Sequence, residues 1–103
     1  MPRLVSEKRD DLIRLCKRYR VLRLEVFGSA TTDAAFDVQR SDLDFLVEFL
    51  PLQPGEHADA YFGLLFALQD LFGRSVDLVM NRAVKNPYFL ESINRNRTLL
   101  YAA

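Results

Sequence analysis

The segment DLDFLVEF, residues 42–49, constrains the fold of this 103-residue chain more than any other segment. Successive side chains of a β-strand point to opposite faces of its sheet, so Leu43 and Phe45 are expected in the core. Asp42 and Asp44 then lie together on the opposite face. Two carboxylates this close repel each other unless a cation lies between them. The segment therefore predicts a sheet with one apolar face and a cation-binding pair of acids on the other.

Length and composition limit the class of protein. Half of the residues are hydrophobic, enough to build one core, so residues 1–103 are expected to form a single domain. Fourteen basic residues balance fourteen acidic ones, so the chain lacks the excess positive charge that binding to a long nucleic acid needs. The lone Cys16 excludes an internal disulfide and a thiolate zinc cluster. The sequence has no apolar run of transmembrane length and no signal-peptide core, so we expect a soluble cytoplasmic protein without membrane contact.

Hydrophobic periodicity and turn residues divide the chain into predicted helices and strands. The helices cover residues 6–19, 29–36, 58–72 and 87–94, the strands cover 21–27, 42–49 and 75–80, and the final segment, 98–103, forms an edge strand or a packed tail. Ser6 is the expected cap of the first helix, and Gly73 ends the third. This alternation predicts a small α/β or α+β domain whose mixed sheet is flanked by helices.

Asp77 supplies a third candidate acid. It lies in the apolar segment VDLV, which is expected to pair in the same sheet as residues 42–49. Three carboxylates with no histidine or cysteine nearby suit a hard cation such as Mg²⁺. Two such ions, held roughly 3.5–4 Å apart, can bind the attacking and leaving oxygens of a phosphoryl or nucleotidyl transfer. Asp42, Asp44 and Asp77 are therefore the candidate metal ligands.

The pair Gly28-Ser29 follows a predicted strand and precedes a predicted helix. A helix N-terminus presents unpaired backbone N–H groups and the positive end of the helix dipole to an anion. Glycine has no side chain, so a phosphate can approach its backbone closely. Gly28 and Ser29 are therefore candidate phosphate-binding residues.

Each of these features also has a purely structural explanation. A Gly-Ser pair after a strand is commonly a simple turn, and two alternate aspartates often form a solvated strand edge. Asp77 could pair with Arg74 at the surface. The ordered combination of a strand, Gly-Ser, an Asp-x-Asp strand and a third acidic strand is more specific, because one transfer mechanism uses every part of it.

The segment GSATTDAAFDVQRSDLDFLVEF, residues 28–49, followed by VDLV, resembles the minimal nucleotidyltransferases, or MNT proteins, of the DNA polymerase β-like superfamily. Residues 76–103 are also similar to the usual ending of these proteins, so the resemblance covers nearly the whole chain. It implies a nucleotidyltransferase-like fold. MNT proteins are encoded beside HEPN-domain toxins in prokaryotes. Their activity is the transfer of AMP from ATP to a tyrosine of the partner toxin, which neutralises this ribonuclease.

The resemblance implies a role for each candidate residue. Gly28 and Ser29 would bind the phosphates of ATP, the substrate. Asp42 and Asp44 would hold two Mg²⁺ ions. Asp77 would complete the metal site and help to activate the acceptor hydroxyl. The implied protein is a Mg²⁺-dependent antitoxin enzyme whose partner is a HEPN-domain toxin.

One segment departs from the family. Many members have a basic residue and a further glycine soon after the Gly-Ser pair, whereas residues 30–33 here are ATTD. The phosphates therefore lose one cationic partner at this position. Arg40, Arg74 or Arg82 could replace it from another loop.

Two other functions remain open. The protein could neutralise its toxin by binding alone, as a catalytically inactive member of the family, and the altered segment 30–33 favours this function. It could also be a metal-dependent phosphatase or nuclease, although a nuclease is expected to show a basic track for its polymer substrate. Three clustered acids favour an enzyme, since a pure binding module does not need them.

Aromatic residues and the single histidine indicate structure rather than chemistry. His57 is expected to be a surface or capping residue. Tyr61, Phe62, Phe66 and Phe72 form an aromatic stripe along the third predicted helix. We expect this stripe to pack in the core, and a groove for a partner is the alternative.

Overall fold

The computed structural model describes residues 3–27, 43–80 and 97–103 of the chain. Its elements are the helices α1 (Arg3–Ser6), α2 (Arg9–Arg18) and α3 (Glu56–Phe72) and the strands β1 (Val21–Phe27), β2 (Leu43–Phe49), β3 (Val76–Met80) and β4 (Thr98–Ala102). The three strands predicted before residue 81 are therefore confirmed; β3 begins one residue later than predicted, and residue 42 lies outside the described residues. The helices predicted over residues 29–36 and 87–94 lie outside the described residues.

The described strands form one mixed sheet in the order β3-β2-β1-β4. Strand β1 pairs antiparallel with β2 and β4, whereas β2 and β3 run parallel. The predicted mixed sheet of an α+β domain is confirmed, and the final segment is an edge strand of this sheet rather than a packed tail. Because β2 and β3 are parallel, both strands begin at the same edge of the sheet.

Helices α2 and α3 pack on one face of the sheet and enclose the main core. Strand β2 contributes Leu43, Phe45 and Val47, each at most 1% exposed, as its alternating pattern predicts. Burial of side chains of this size stabilises the fold by about 1.5–3 kcal/mol each. The core residues of β2 therefore fix which way the acidic side of the strand faces.

The first predicted helix is broken into two. The sequence predicts one helix over residues 6–19 capped by Ser6, but Ser6 is the last residue of α1, and α2 begins after Lys8. The Lys8 backbone N–H donates to the Val5 carbonyl oxygen at 3.1 Å, which closes a turn between the helices. Val5 is fully buried in the core. The prediction of Ser6 as a cap was wrong, because Ser6 already belongs to the short helix α1. The turn at Lys8 separates α1 from α2 and allows Val5 to be buried in the core.

Helix α3 is less buried than its apolar sequence predicts. Its buried residues are Leu64, Leu68 and Phe72, which lie along one side of the helix. Phe62 and Phe66 lie on the opposite side and are 51% and 58% exposed. Core packing was therefore the wrong interpretation for these two rings.

Both ends of α3 are set by local contacts. The helix begins at Glu56, whose side-chain Oε1 accepts a hydrogen bond from the Gln53 backbone N–H at 2.7 Å. It ends at Phe72, because the next residue, Gly73, adopts a left-handed φ of 64° and donates its N–H to the Gln69 carbonyl oxygen. Such a φ is strained for any residue with a side chain, so the predicted stop at Gly73 is confirmed with its physical reason.

The thiol of Cys16 is buried in the core, and this burial raises its pKa from 9.0 to about 12. We expect the native protein to react with a thiol reagent at neutral pH only as fast as it unfolds, because the thiolate is the reactive form. The unfolded thiol deprotonates more readily than the folded one, so this group's contribution to stability is present below pH 9 and is lost as the pH rises towards 12.

The measurement is thiol labelling with time, together with chemical unfolding between pH 8 and pH 11, for wild type and Cys16→Ala. The difference in unfolding free energy between the two proteins should shrink as the pH rises. Rapid labelling of the wild type at pH 7, under conditions in which its circular dichroism spectrum is native, would contradict a buried thiol.

Candidate active site

The structure brings two of the predicted acids together. Asp44 of β2 and Asp77 of β3 are register partners in the parallel strand pair. Register partners in adjacent strands have their α carbons about 4.8 Å apart and project to the same face, so these carboxylates are neighbours. Asp44 is half-buried and Asp77 is exposed. We call the sheet face that carries them the acidic face.

Phe27 extends this pair into a row across three strands. It is the last residue of β1 and pairs with Asp44, which in turn pairs with Asp77. Phe27 is buried and packs with Leu46 and Val79 in a small apolar cluster on the acidic face. The carboxylates therefore border an apolar surface, where an interaction between charges is stronger than in open water.

A cleft of about 400 Å³ lies beside the two acids. Its lining residues are Phe27, Asp44, Tyr61, Leu65, Val76, Asp77, Leu78 and Val79. The Tyr61 hydroxyl donates a hydrogen bond to the Leu78 carbonyl oxygen at 2.5 Å, which holds α3 against the edge strand β3. The volume lies within the roughly 300–1,000 Å³ that is usual for a small-molecule site. The cleft thus combines a pair of acids, an apolar wall and room for a small molecule.

The donor set of this cleft fits a hard divalent cation. Asp44 and Asp77 supply carboxylate oxygens, and neither histidine nor cysteine lines the cleft. Oxygen ligands of this kind suit Mg²⁺ rather than zinc or copper. Among the residues that the structure describes, no group of three acidic, histidine or cysteine side chains could hold a metal ion. A third ligand would have to come from elsewhere, and Asp42, the predicted one, lies outside those residues.

The five predicted site residues divide into two sets. Asp44 and Asp77 lie side by side at the cleft. Gly28, Ser29 and Asp42 lie outside the described residues, so their roles stay predictions. The expectation for His57 is met, since this residue is exposed in the first turn of α3.

Comparison with known proteins identifies the family. The sequence profile of the family described as "Nucleotidyltransferase domain" matches residues 11–100 of the chain. This chain belongs to the nucleotidyltransferase domain family. Two proteins of Methanocaldococcus jannaschii are relatives of this nucleotidyltransferase. The one named "Putative protein adenylyltransferase MJ0128" is 37% identical over 98 residues, covering 89% of this chain and 93% of that protein. The one named "Putative protein adenylyltransferase MJ1379" is 29% identical over 79 residues, covering 77% of this chain and 76% of that protein.

Solved structures give the same answer for the fold. A structure described as a putative minimal nucleotidyltransferase is 30% identical, with a TM-score of 0.62, and the match covers 91% of this chain and 90% of that chain. A chain of a toxin-antitoxin complex with AMP-PNP matches at a TM-score of 0.67 and 18% identity, and the match covers 92% of this chain and 73% of that chain. A chain of the complex of tri-AMPylated Shewanella oneidensis HEPN toxin with MNT antitoxin matches at a TM-score of 0.64 and 17% identity. This match covers 95% of this chain and 72% of that chain. The minimal nucleotidyltransferase family inferred from the sequence is confirmed.

Within residues 3–27, 43–80 and 97–103, no helix is long and apolar enough to cross a bilayer.

Sequence reasoning missed one charged cluster of this nucleotidyltransferase. Glu25 of β1 is only 5% exposed, although it is a charged residue in a strand of alternating apolar and polar residues. Its carboxylate forms ion pairs with the Nε atoms of Arg23 at 3.0 Å and Arg97 at 3.1 Å. The signal in the sequence is a glutamate between apolar residues of one strand. Its second arginine partner could not be predicted, because Arg97 lies far away along the chain.

Proposed function

We propose that this protein is a Mg²⁺-dependent protein adenylyltransferase, which transfers AMP from ATP to a tyrosine hydroxyl of a HEPN-domain toxin and so acts as its antitoxin in the cytoplasm. The observation that carries the proposal is the register pairing of Asp44 with Asp77 at a cleft. The M. jannaschii relatives, which are named as putative protein adenylyltransferases, support protein adenylylation. Structural neighbours in toxin-antitoxin complexes support the partner, one with AMP-PNP and one with an AMPylated toxin.

Asp44 and Asp77, together with Asp42, would hold two Mg²⁺ ions in this proposal. When bound, these ions neutralise phosphate charge and stabilise the charge that develops during the transfer. The residues themselves position the substrate. Asp44 is half-buried beside the apolar cluster of Phe27, which restricts its side chain and keeps bulk water from one side of the cleft.

The transfer breaks one phosphoanhydride bond of ATP and forms one phosphoester bond to the acceptor. The acceptor hydroxyl oxygen forms a bond to the α-phosphorus of ATP, the bond from that phosphorus to the bridging oxygen of the β-phosphate breaks, and pyrophosphate leaves. The hydroxyl proton passes to the Asp77 carboxylate. Asp77 is suited to this role because it is exposed on the edge strand β3, where a side chain of another protein can reach it.

The first test incubates the protein with Mg²⁺, ATP labelled on its α-phosphate and the product of the adjacent gene. We expect label on that product, located by mass spectrometry at a tyrosine, and no transfer when ATP is labelled on its γ-phosphate. The γ-labelled reaction is the control for phosphorylation. Label transferred from the γ-phosphate would indicate a kinase instead of an adenylyltransferase. Release of label without a protein adduct would indicate a phosphatase.

Neutralisation by binding alone is the second candidate function. The segment after Ser29 favours it, since residues 30–33 contain no basic residue for the phosphates. The two functions separate when the toxin's ribonuclease activity is measured after addition of antitoxin with and without ATP. Adenylylation requires ATP and persists after the antitoxin is removed, whereas inhibition by binding needs no ATP and is reversed by removal.

A further inference from the structure

The cluster of Arg23, Glu25 and Arg97 lies on the acidic face and plays no part in the chemistry described above. One buried carboxylate is paired with two guanidinium groups, and Glu48 lines the same small cavity as these three residues. The Glu25 side chain is 6% exposed, whereas those of Arg23 and Arg97 are 47% and 37% exposed. A buried carboxylate is costly unless it is paired, and one arginine is enough to pair it. Arg23 also lies opposite Glu48 across the β1–β2 pair, so the two arginines have different surroundings.

Strand register places Arg97 in line with the acids. Thr98, the first residue of β4, pairs with Val26 of β1. In an antiparallel pair the next position brings Arg97 beside Phe27, whose other neighbour is Asp44. The backbone of Arg97 therefore continues the row of acids and lies two strand spacings, about 9–10 Å, from Asp44.

Glu25 holds the Arg97 guanidinium within reach of this row. Glu25 pairs with Leu46, two residues after Asp44 on β2, so Glu25 and Asp44 are diagonal neighbours. Diagonal neighbours of a sheet lie about 7–8 Å apart, which is a distance that a chain of phosphates can bridge. A small cavity of about 80 Å³ lies at the cluster and leaves Arg97 accessible.

The chemistry of Arg97 fits a phosphate ligand. A guanidinium carries five N–H donors, and one carboxylate can accept bonds from only two of them at a time. The donors that remain can bind phosphate oxygens in the bidentate geometry for which arginine is well suited. The pairing with Glu25 through Nε fixes the orientation of the group in advance, which lowers the entropy lost when an anion binds.

We propose that Arg97 binds the phosphates of the nucleotide and that Glu25 positions it for this role. Arg97 then supplies the cation that residues 30–33 lack. Since ATP is the substrate under the proposed function, this role of Arg97 rests on that function. The alternative is a purely structural role, in which the ion pair of Arg97 with Glu25 only stabilises the pairing of the edge strand β4 with β1.

The experiment measures the Kd of Mg²⁺-ATP, of inorganic triphosphate and of adenosine by calorimetry for wild type, Arg97→Gln, Arg97→Lys and Arg23→Gln. Arg23→Gln is the matched control, because Arg23 pairs with the same carboxylate but lies opposite Glu48, further from Asp44. We expect Arg97→Gln to weaken ATP and triphosphate binding by about 10- to 100-fold, as is typical for the loss of charged hydrogen bonds. Adenosine binding should not change, Arg97→Lys should recover part of the loss, and Arg23→Gln should bind ATP like wild type.

Thermal melting of each variant separates the two roles. If the ion pair is purely structural, Arg97→Gln lowers the melting temperature and leaves the Kd of ATP unchanged in the fraction that is folded. That result would overturn the role of Arg97 while leaving adenylyl transfer by wild type intact. Equal weakening of ATP binding by Arg97→Gln and Arg23→Gln would also overturn it, because only one of them lies beside the row of acids. Failure of wild type to bind ATP at all would instead remove the proposed function.

Discussion

Asp44→Asn is expected to lower the rate of AMP transfer by roughly 10³-fold, because a metal ion contributes several kcal/mol to stabilisation of a phosphoryl transition state. Asparagine keeps the size of the side chain and removes its charge. The metal-free variant should still fold, because the core residues Leu43, Phe45 and Val47 of β2 are unchanged.

Two measurements check this result, the transfer rate and the rise in melting temperature on addition of Mg²⁺. A cation that binds only the folded protein raises the melting temperature by mass action, so wild type should respond and Asp44→Asn should respond much less. Glu48→Gln is the matched control, since Glu48 lies on the same strand and face, four residues further along. Transfer by Asp44→Asn at the wild-type rate, in a folded protein, would place the active site elsewhere.

Asp77→Asn is expected to lower the transfer rate by about 10²–10⁴-fold, the usual contribution of a positioned general base. The loss should persist at saturating Mg²⁺, because a missing proton acceptor is not restored by more metal. If Asp77 served only to bind metal, high Mg²⁺ would recover most of the rate. The measurement is therefore transfer rate against Mg²⁺ concentration, with thermal melting to confirm that the variant folds.

Asp70→Asn is the control for this variant, since Asp70 is an exposed acid of α3 that does not line the acidic cleft. It should transfer AMP like wild type. An unchanged rate for Asp77→Asn would make this residue an ordinary surface acid, of the kind that contributes at most about 1 kcal/mol through a salt bridge. That outcome would also increase the weight of neutralisation by binding alone.

The local sequence pattern was sufficient to predict the strands and the side of β2 that carries Asp44. The pleat of a strand sends alternate residues to opposite faces, so the burial of Leu43 and Phe45 and the opposite placement of Asp44 follow from neighbouring residues alone. The stop of α3 at Gly73 is local for the same reason, because it depends on the φ angle of one residue. Gly28 and Ser29 remain predictions from a motif.

Local pattern failed where burial depends on what another element covers. The apolar sequence of α3 contains rings on both sides of the helix, and only packing against the sheet determines that Leu64 is buried while Phe62 and Phe66 are exposed. The predicted start of the first helix was wrong for a similar reason. Val5 becomes a core residue only because the chain turns at Lys8, which a helical repeat cannot indicate.

The sequence by itself therefore determined the strands, the acidic side of β2 and the chemistry that carboxylates can offer, because these depend on residue type and on spacing within one segment. Only the tertiary structure decided that Asp44 pairs with Asp77, since the register of two parallel strands depends on the helix and loops that join them. It also decided that Glu25 is buried between Arg23 and Arg97. A charged residue of a strand is solvated or buried according to its cross-strand neighbours, and those neighbours come from distant parts of the chain.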